Sequence, residues 1–178
     1  RQEKDGLATA DMKPTEPPPE ADGILHWIVT DSGIGGLSIC AWMEQALRLS
    51  GGFPRIRITY FNAWPEQRAG YNSLPDVQAR AMVFHRALTR MGQLGPDRIL
   101  IACNTLSILY DLTEFSRTTL IPVAGIIAAG VALFYQALHA DPHASLVILG
   151  TRTTSDSLRS AAPSRPTGVM ATASISSI

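Results

Sequence analysis

Ile99-Leu100-Ile101-Ala102-Cys103-Asn104-Thr105-Leu106-Ser107 is the stretch from which the rest of the chain is read. Its aliphatic first half reads as a buried strand. It stops abruptly at a thiol, a carboxamide and hydroxyls. Chemically capable side chains at the carboxyl end of a strand mark the ligand crevice of an open α/β sheet.

The flanking residues repeat the pattern. Upstream, Val77, Ala81, Phe84, Leu88 and Met91 recur at helical spacing, with Arg80, His85, Arg86 and Arg90 off that stripe, and Gly95-Pro96 ends the helix. His85 reads as solvated. Before that helix, Ile56, Ile58 and Tyr60 alternate with Arg57 and Thr59 in a second strand, and a polar, aromatic loop runs from Asn62 to Pro75. Earlier still, Ile24 to Thr30 gives a first strand containing His26. Gly33, Gly35 and Gly36 punctuate the turn after it, and a helix with Ile39, Trp42, Met43, Ala46 and Leu49 on one face ends at Gly51-Gly52. Cys40 lies in this helix and reads as a core residue. Downstream, a short helix is expected from Thr105 to Phe115, a strand from Ile121 to Ile127, a helix from Gly130 to Ala140 and a strand from Ser145 to Leu149.

Strands alternating with helices predict an α/β fold, a parallel sheet with helices on both faces in the doubly wound manner. The expected organisation is a disordered leader over 1–22, a first α/β domain over 23–127, the start of a second over 128–160, and a low-complexity or truncated tail over 161–178.

Composition narrows the chemistry. Fifteen basic residues balance fifteen acidic ones in 178, so no strong field recruits nucleic acid. No apolar run reaches the ~18 residues of a membrane span. Two cysteines, without zinc-type spacing, argue against a disulfide scaffold and fit a reducing compartment. His139 and His143 are separated by Asp141-Pro142, so they share no helical face and no metal site is read. The only lysines, Lys4 and Lys13, precede the folded part, which therefore has none for a pyridoxal imine or a Walker A loop.

Parallel strands point their carboxyl ends the same way. That places Asp31-Ser32-Gly33, Asn62, Cys103-Asn104-Thr105, and Thr151 with Thr153 and Thr154 along one edge, facing a small polar ligand. The glycine-rich turn Asp31 to Gly36 is neither a dinucleotide fingerprint nor a P-loop. It is either a tight turn with Asp31 or Ser32 as cap, or an anion site at a helix N-terminus with Asp31 addressing an ammonium or a proton. Cys103 is either a buried structural cysteine or a nucleophile or base. Asn104 and Thr105 favour the second, and the helix that follows is expected to lower its thiol pKa below the free value of ~8.5. Tyr71 and Asn72 either fold over the crevice or belong to an ordinary polar loop.

Asp31-Ser32-Gly33-Ile34-Gly35-Gly36-Leu37-Ser38, Ala102-Cys103-Asn104-Thr105, Ile121-Pro122-Val123-Ala124-Gly125-Ile126 and Gly150-Thr151 with Thr153 and Thr154 resemble, in order and spacing, the motifs of glutamate racemase and its cofactor-independent aspartate/glutamate racemase superfamily. The resemblance covers about Ile24 to Leu158. It implies inversion of an amino acid's α-carbon between two cysteines, with no cofactor. Cys103 is then one acid–base thiol, with Asp31 assisting proton transfer or holding the ammonium. Ser32, Asn104, Thr105 and the threonines near Thr151 would bind the substrate's polar groups. Asn62, Tyr71 and Asn72 line the same crevice. The family's second cysteine lies in a downstream Cys-Thr-His motif that this sequence does not contain. The resemblance thus implies an N-terminal portion, inactive alone, of a cytoplasmic enzyme supplying D-glutamate for peptidoglycan, with a homodimer possible. Alternatives are another superfamily reaction (aspartate or hydantoin racemase, maleate isomerase, malonate decarboxylase) or a non-catalytic dicarboxylate-binding remnant.

Overall fold

Leu25–Asp31 forms β1, the strand from which the sheet grows in both directions. The computed structural model describes residues 24–52, 55–66, 68–141, 147–150, 154 and 171–174. On one side β1 pairs in parallel with β2 (Ile56–Asn62), Asp31 level with Asn62. On the other it pairs with β3 (Arg98–Ile101), which pairs with β4 (Val123–Gly125). The order is β2-β1-β3-β4, all parallel, so the expected α/β architecture is the one observed.

Side chains alternate across a strand, and the two sheet faces are covered unequally. Ile28 stands level with Ile99, and Thr30 with Ile101. This face carries the core, where Ile28, Ile99 and Ile101 are wholly buried with Phe84, Leu88 and Met91 of α2 (Val77–Gly92) and Leu106 and Leu109 of α3 (Asn104–Leu109). The Asp76 side chain accepts from the N–H of Ala79, giving α2 an N-cap. The opposite face, with Val29, Tyr60 and Asp31, receives α1 (Gly36–Ser50). A Cβ on Gly36 would come within 3.1 Å of Ala102 Cβ, Asp31 Cβ and Tyr60 Cε2, tighter than ordinary contact, so a side chain here would force these neighbours to give by a few tenths of an ångström.

Several boundaries differ from the sequence reading. On α1, Trp42 and Leu49 are each 79% exposed and Ala46 is exposed, while Ile39, Cys40, Met43 and Leu47 are half-buried. The helix is rotated so that the expected apolar stripe lies only partly against the sheet, and Cys40 is not a core residue. The single helix expected over 105–115 is broken into α3, a 3-10 turn at Tyr110–Leu112 and α4 (Phe115–Thr118). There His85, read as solvated, accepts from the N–H of Phe115 through Nδ1 at 3.3 Å. Strand β4 ends at Gly125, and Ile126 opens α5 (Ile126–Ala140), none of whose residues is buried. Finally, β5 (Val147–Gly150) does not join the four-stranded sheet. It pairs in parallel with β6 (Ala171–Ser174), a strand inside the stretch read as low-complexity.

Candidate active site

Three strand ends converge as the parallel topology requires. The N–H of Ala63 donates to the carbonyl of Asp31, and that of Ala102 to the carbonyl of Thr30, each at 2.8 Å. These bonds carry the sheet pairing one residue past the strands, so the turns leave it in register with Asp31, Asn62 and Cys103 at one edge.

Asp31 is buried, 8% exposed, and both carboxylate oxygens are occupied. Oδ1 accepts from the N–H of Ser32 at 2.6 Å and Oδ2 from the N–H of Gly36 at 2.7 Å. The carboxylate satisfies an N–H at the start of α1, whose N-cap residue is Gly35 without a side-chain cap of its own. Each oxygen keeps acceptor capacity for a second partner.

Cys103 is half-buried in extended backbone at the N-cap of α3, and its carbonyl accepts from Ser107 N at 2.9 Å. Its Sγ lies 3.4 Å from Ser32 Oγ. Burial pushes its thiol pKa up. Hydrogen bonds from the Ser32 hydroxyl and the Leu106 N–H pull it down, and the Asp31 charge adds to the rise; the net direction is upward. The expectation of a lowered pKa is corrected here. α3 has only six residues, and its dipole and donors do not offset desolvation beside a carboxylate. Cys103 is therefore a protonated thiol at neutral pH.

The other sequence candidates divide. Asn62 is half-buried and turns its Oδ1 back to accept from Trp64 N at 3.0 Å. Tyr71 is buried at 3% exposure, stacks edge-on against Trp64 with centroids 6.3 Å apart, and donates its hydroxyl to the Arg80 carbonyl at 2.6 Å. It anchors the loop and lies close enough to Cys103 for that thiol's charge to help raise its pKa, and Asn72 beside it is exposed. Asn104 is exposed at the first turn of α3. Thr105 is buried, its Oγ1 lying 3.4 Å from Oγ1 of Thr154. Thr151 and Thr153 lie outside the described residues, as does His143. Among the described residues, no group of three or more His, Cys, Asp and Glu side chains gathers, and no helix is long and apolar enough to cross a membrane.

Sequence reasoning missed Tyr60. Its hydroxyl donates to the Gly33 carbonyl, joining β2 to the glycine-rich turn. Burial, then the charges of Asp31, Cys40 and Cys103, push its pKa up to about 12. The period-two pattern places Tyr60 on the sheet face of Val29 and Asp31. That was the available signal.

No family model matches the chain. Two curated proteins do, both glutamate racemases. The one from Chlorobaculum tepidum is 35% identical over 109 residues, 61% of this chain and 36% of the relative. The one from Chlorobium phaeobacteroides is 31% identical over the same length and shares. Among solved structures, glutamate racemase from Aquifex pyrophilus superposes with a TM-score of 0.58 at 23% identity, covering 75% of this chain and 48% of that one. That from Campylobacter jejuni gives 0.55 at 29% identity, over 75% and 49%. The Thermus thermophilus enzyme, in complex with β-chloro-D-alanine, gives 0.52 at 25% identity, over 83% and 50%. Fold and sequence agree on the class of protein that this chain resembles, the amino-acid racemases. Within that class its similarity is to the glutamate racemases, and it spans about a third of the length of the curated relatives it matches and about half that of the solved ones.

Proposed function

We propose that this chain contributes one face of a racemase site, with Cys103 exchanging the α-proton of glutamate. The observation that carries the reading is the Asp31–Ser32–Cys103 constellation, a thiol at a strand end with a hydroxyl at 3.4 Å and a buried carboxylate one residue from that hydroxyl.

As a neutral thiol, Cys103 is set to donate a proton. To accept one it must first ionise, and an amino acid's ammonium beside it favours the thiolate. The thiolate then takes the α-proton, leaving the electron pair on the α-carbon and its carboxylate, and a second thiol returns a proton from the opposite face. Asp31 holds the turn and offers its remaining lone pairs to the ammonium. Ser32, Asn104, Thr105 and Thr154 provide hydroxyls and an amide for the substrate's carboxylates, and Thr151 and Thr153 extend that set. The chemistry needs no cofactor. Cys40, the chain's other thiol, stands on α1 and does not match the position of the family's second cysteine, so on this reading the opposing thiol is not Cys40 and the 178 residues alone are expected not to racemise. The family likeness supports D-glutamate for peptidoglycan as the product, a cytoplasmic setting and a homodimer.

Deuterium incorporation at the α-carbon of L- and D-glutamate in heavy water tests the reading. Exchange without net inversion, lost in Cys103→Ser, is expected. Exchange unchanged in that variant would remove Cys103 from the chemistry. Exchange confined to aspartate would move the reading to a sister reaction.

A further inference from the structure

The turn that carries Ser32 to within 3.4 Å of the Cys103 thiol is tied down from two sides. Asp31 ties that turn to its own strand and to the start of α1, through Ser32 N and Gly36 N. Tyr60 ties it to a different strand, its hydroxyl donating to the carbonyl of Gly33, the residue after Ser32. The Tyr60 ring also abuts the first turn of α1, where a Cβ on Gly36 would lie 3.1 Å from Cε2. Strand register places the tyrosine level with Val29, two residues before Asp31 on the same face. A rigid aromatic in a strand is a better strut than anything the glycine-rich turn can supply from within.

We propose that Tyr60 is a positioning residue for Cys103: its hydrogen bond to the Gly33 carbonyl holds the Ser32 hydroxyl within reach of the thiol. Tyr60 touches no reacting atom and acts through Ser32. With its pKa pushed up to about 12 it keeps its proton, and hence its donor, throughout the neutral and mildly alkaline range. The proposal rests on Cys103 being the acid–base thiol, yet thiol ionisation is measurable without turnover. Absent deuterium exchange would overturn the racemase reading and leave the titration below intact.

The experiment is the pH profile of Cys103 alkylation by iodoacetamide in a Cys40→Ser background, where Cys103 is the only thiol. Ser32→Ala removes a hydrogen bond that favours the thiolate and raises the alkylation midpoint by about half a unit, roughly threefold in rate on the rising limb. Tyr60→Phe keeps the ring and gives a rise of similar size. The double variant titrates where Ser32→Ala alone does, because both changes remove one contact. Tyr60→His, whose ring N–H retains a donor, lies between Tyr60→Phe and the parent, and carries the comparison if the phenylalanine variant does not fold. An unmoved midpoint in Tyr60→Phe, or a shift that persists at full size in the Ser32→Ala background, overturns the proposal, since a purely structural tyrosine would act independently of Ser32.

Discussion

Cys103 shows how one residue's chemistry depends on its surroundings. Sequence places it at a strand end before a helix, a position that commonly activates a thiol. In the fold the same position is half-buried beside a carboxylate, and those two effects outweigh the donors from Ser32 and Leu106. Alkylation at pH 7 is therefore expected to be slower than for a free cysteine, with a midpoint above ~8.5. Glutamate, by bringing an ammonium to the site, should lower that midpoint if bound with the thiol free, or protect the thiol outright. Alkylation at the free-cysteine rate, insensitive to glutamate, would mean an exposed thiol with no ligand. Asp31→Ala gives a different signature. It leaves the N–H groups of Ser32 and Gly36 without their acceptor and costs on the order of 1–3 kcal/mol, read as a lower urea midpoint.

At the scale of elements, the helices differ in how far their patterns predict their packing. The stripe on α2 is buried almost as written, with Ala81, Phe84, Leu88 and Met91 inside and only Val77 left 39% exposed. Phe84→Ala should destabilise by about 3–5 kcal/mol, the usual range for truncating a fully buried phenylalanine. On α1, by contrast, the contact that matters is made by an absent side chain. Gly36→Ala would press a methyl against Ala102, Asp31 and Tyr60 at 3.1 Å and should cost roughly 1–3 kcal/mol. Thermal melts separate the two, because Leu49→Ala at 79% exposure on the same helix should leave the midpoint within error. The element expected to be one helix over 105–115 is broken where Thr113 and His85 supply acceptors for the N–H groups of Ser116 and Phe115. Such acceptors are invisible in a periodicity.

For the molecule as a whole, three acidic groups around the site have pKa values raised mainly by burial: Cys103, Tyr60 and Tyr71. A raised pKa means that the folded state keeps a proton the unfolded chain has already released. The associated stability is complete below the unfolded pKa and falls as pH rises through the folded one. Urea midpoints should therefore hold near neutrality, decline above the ordinary thiol range and fall most steeply between about pH 10 and 12, where Tyr60 lags its free value. Tyr71→Phe should flatten the upper part of that decline. A midpoint constant to pH 12 would contradict the burial of these groups.

The sequence by itself determined the α/β class and the parallel order of strands and helices. It also determined that Asp31, Asn62 and Cys103 end up at the carboxyl edge, because side-chain period and glycine punctuation are local properties of the chain, whereas the strand before Thr151 does not join that sheet. Asp31, Asn62 and Cys103 stand together for that reason alone. Only the tertiary structure decided what those residues do there. Asp31 has both oxygens engaged by the turn and the start of α1, Tyr71 is buried with its hydroxyl on the Arg80 carbonyl, β5 turns to β6 instead of extending the sheet, and the thiol of Cys103 has its pKa raised. Partners and desolvation are set by residues far apart in sequence, Ser32 and Cys103 being 71 positions apart, and no local pattern encodes them.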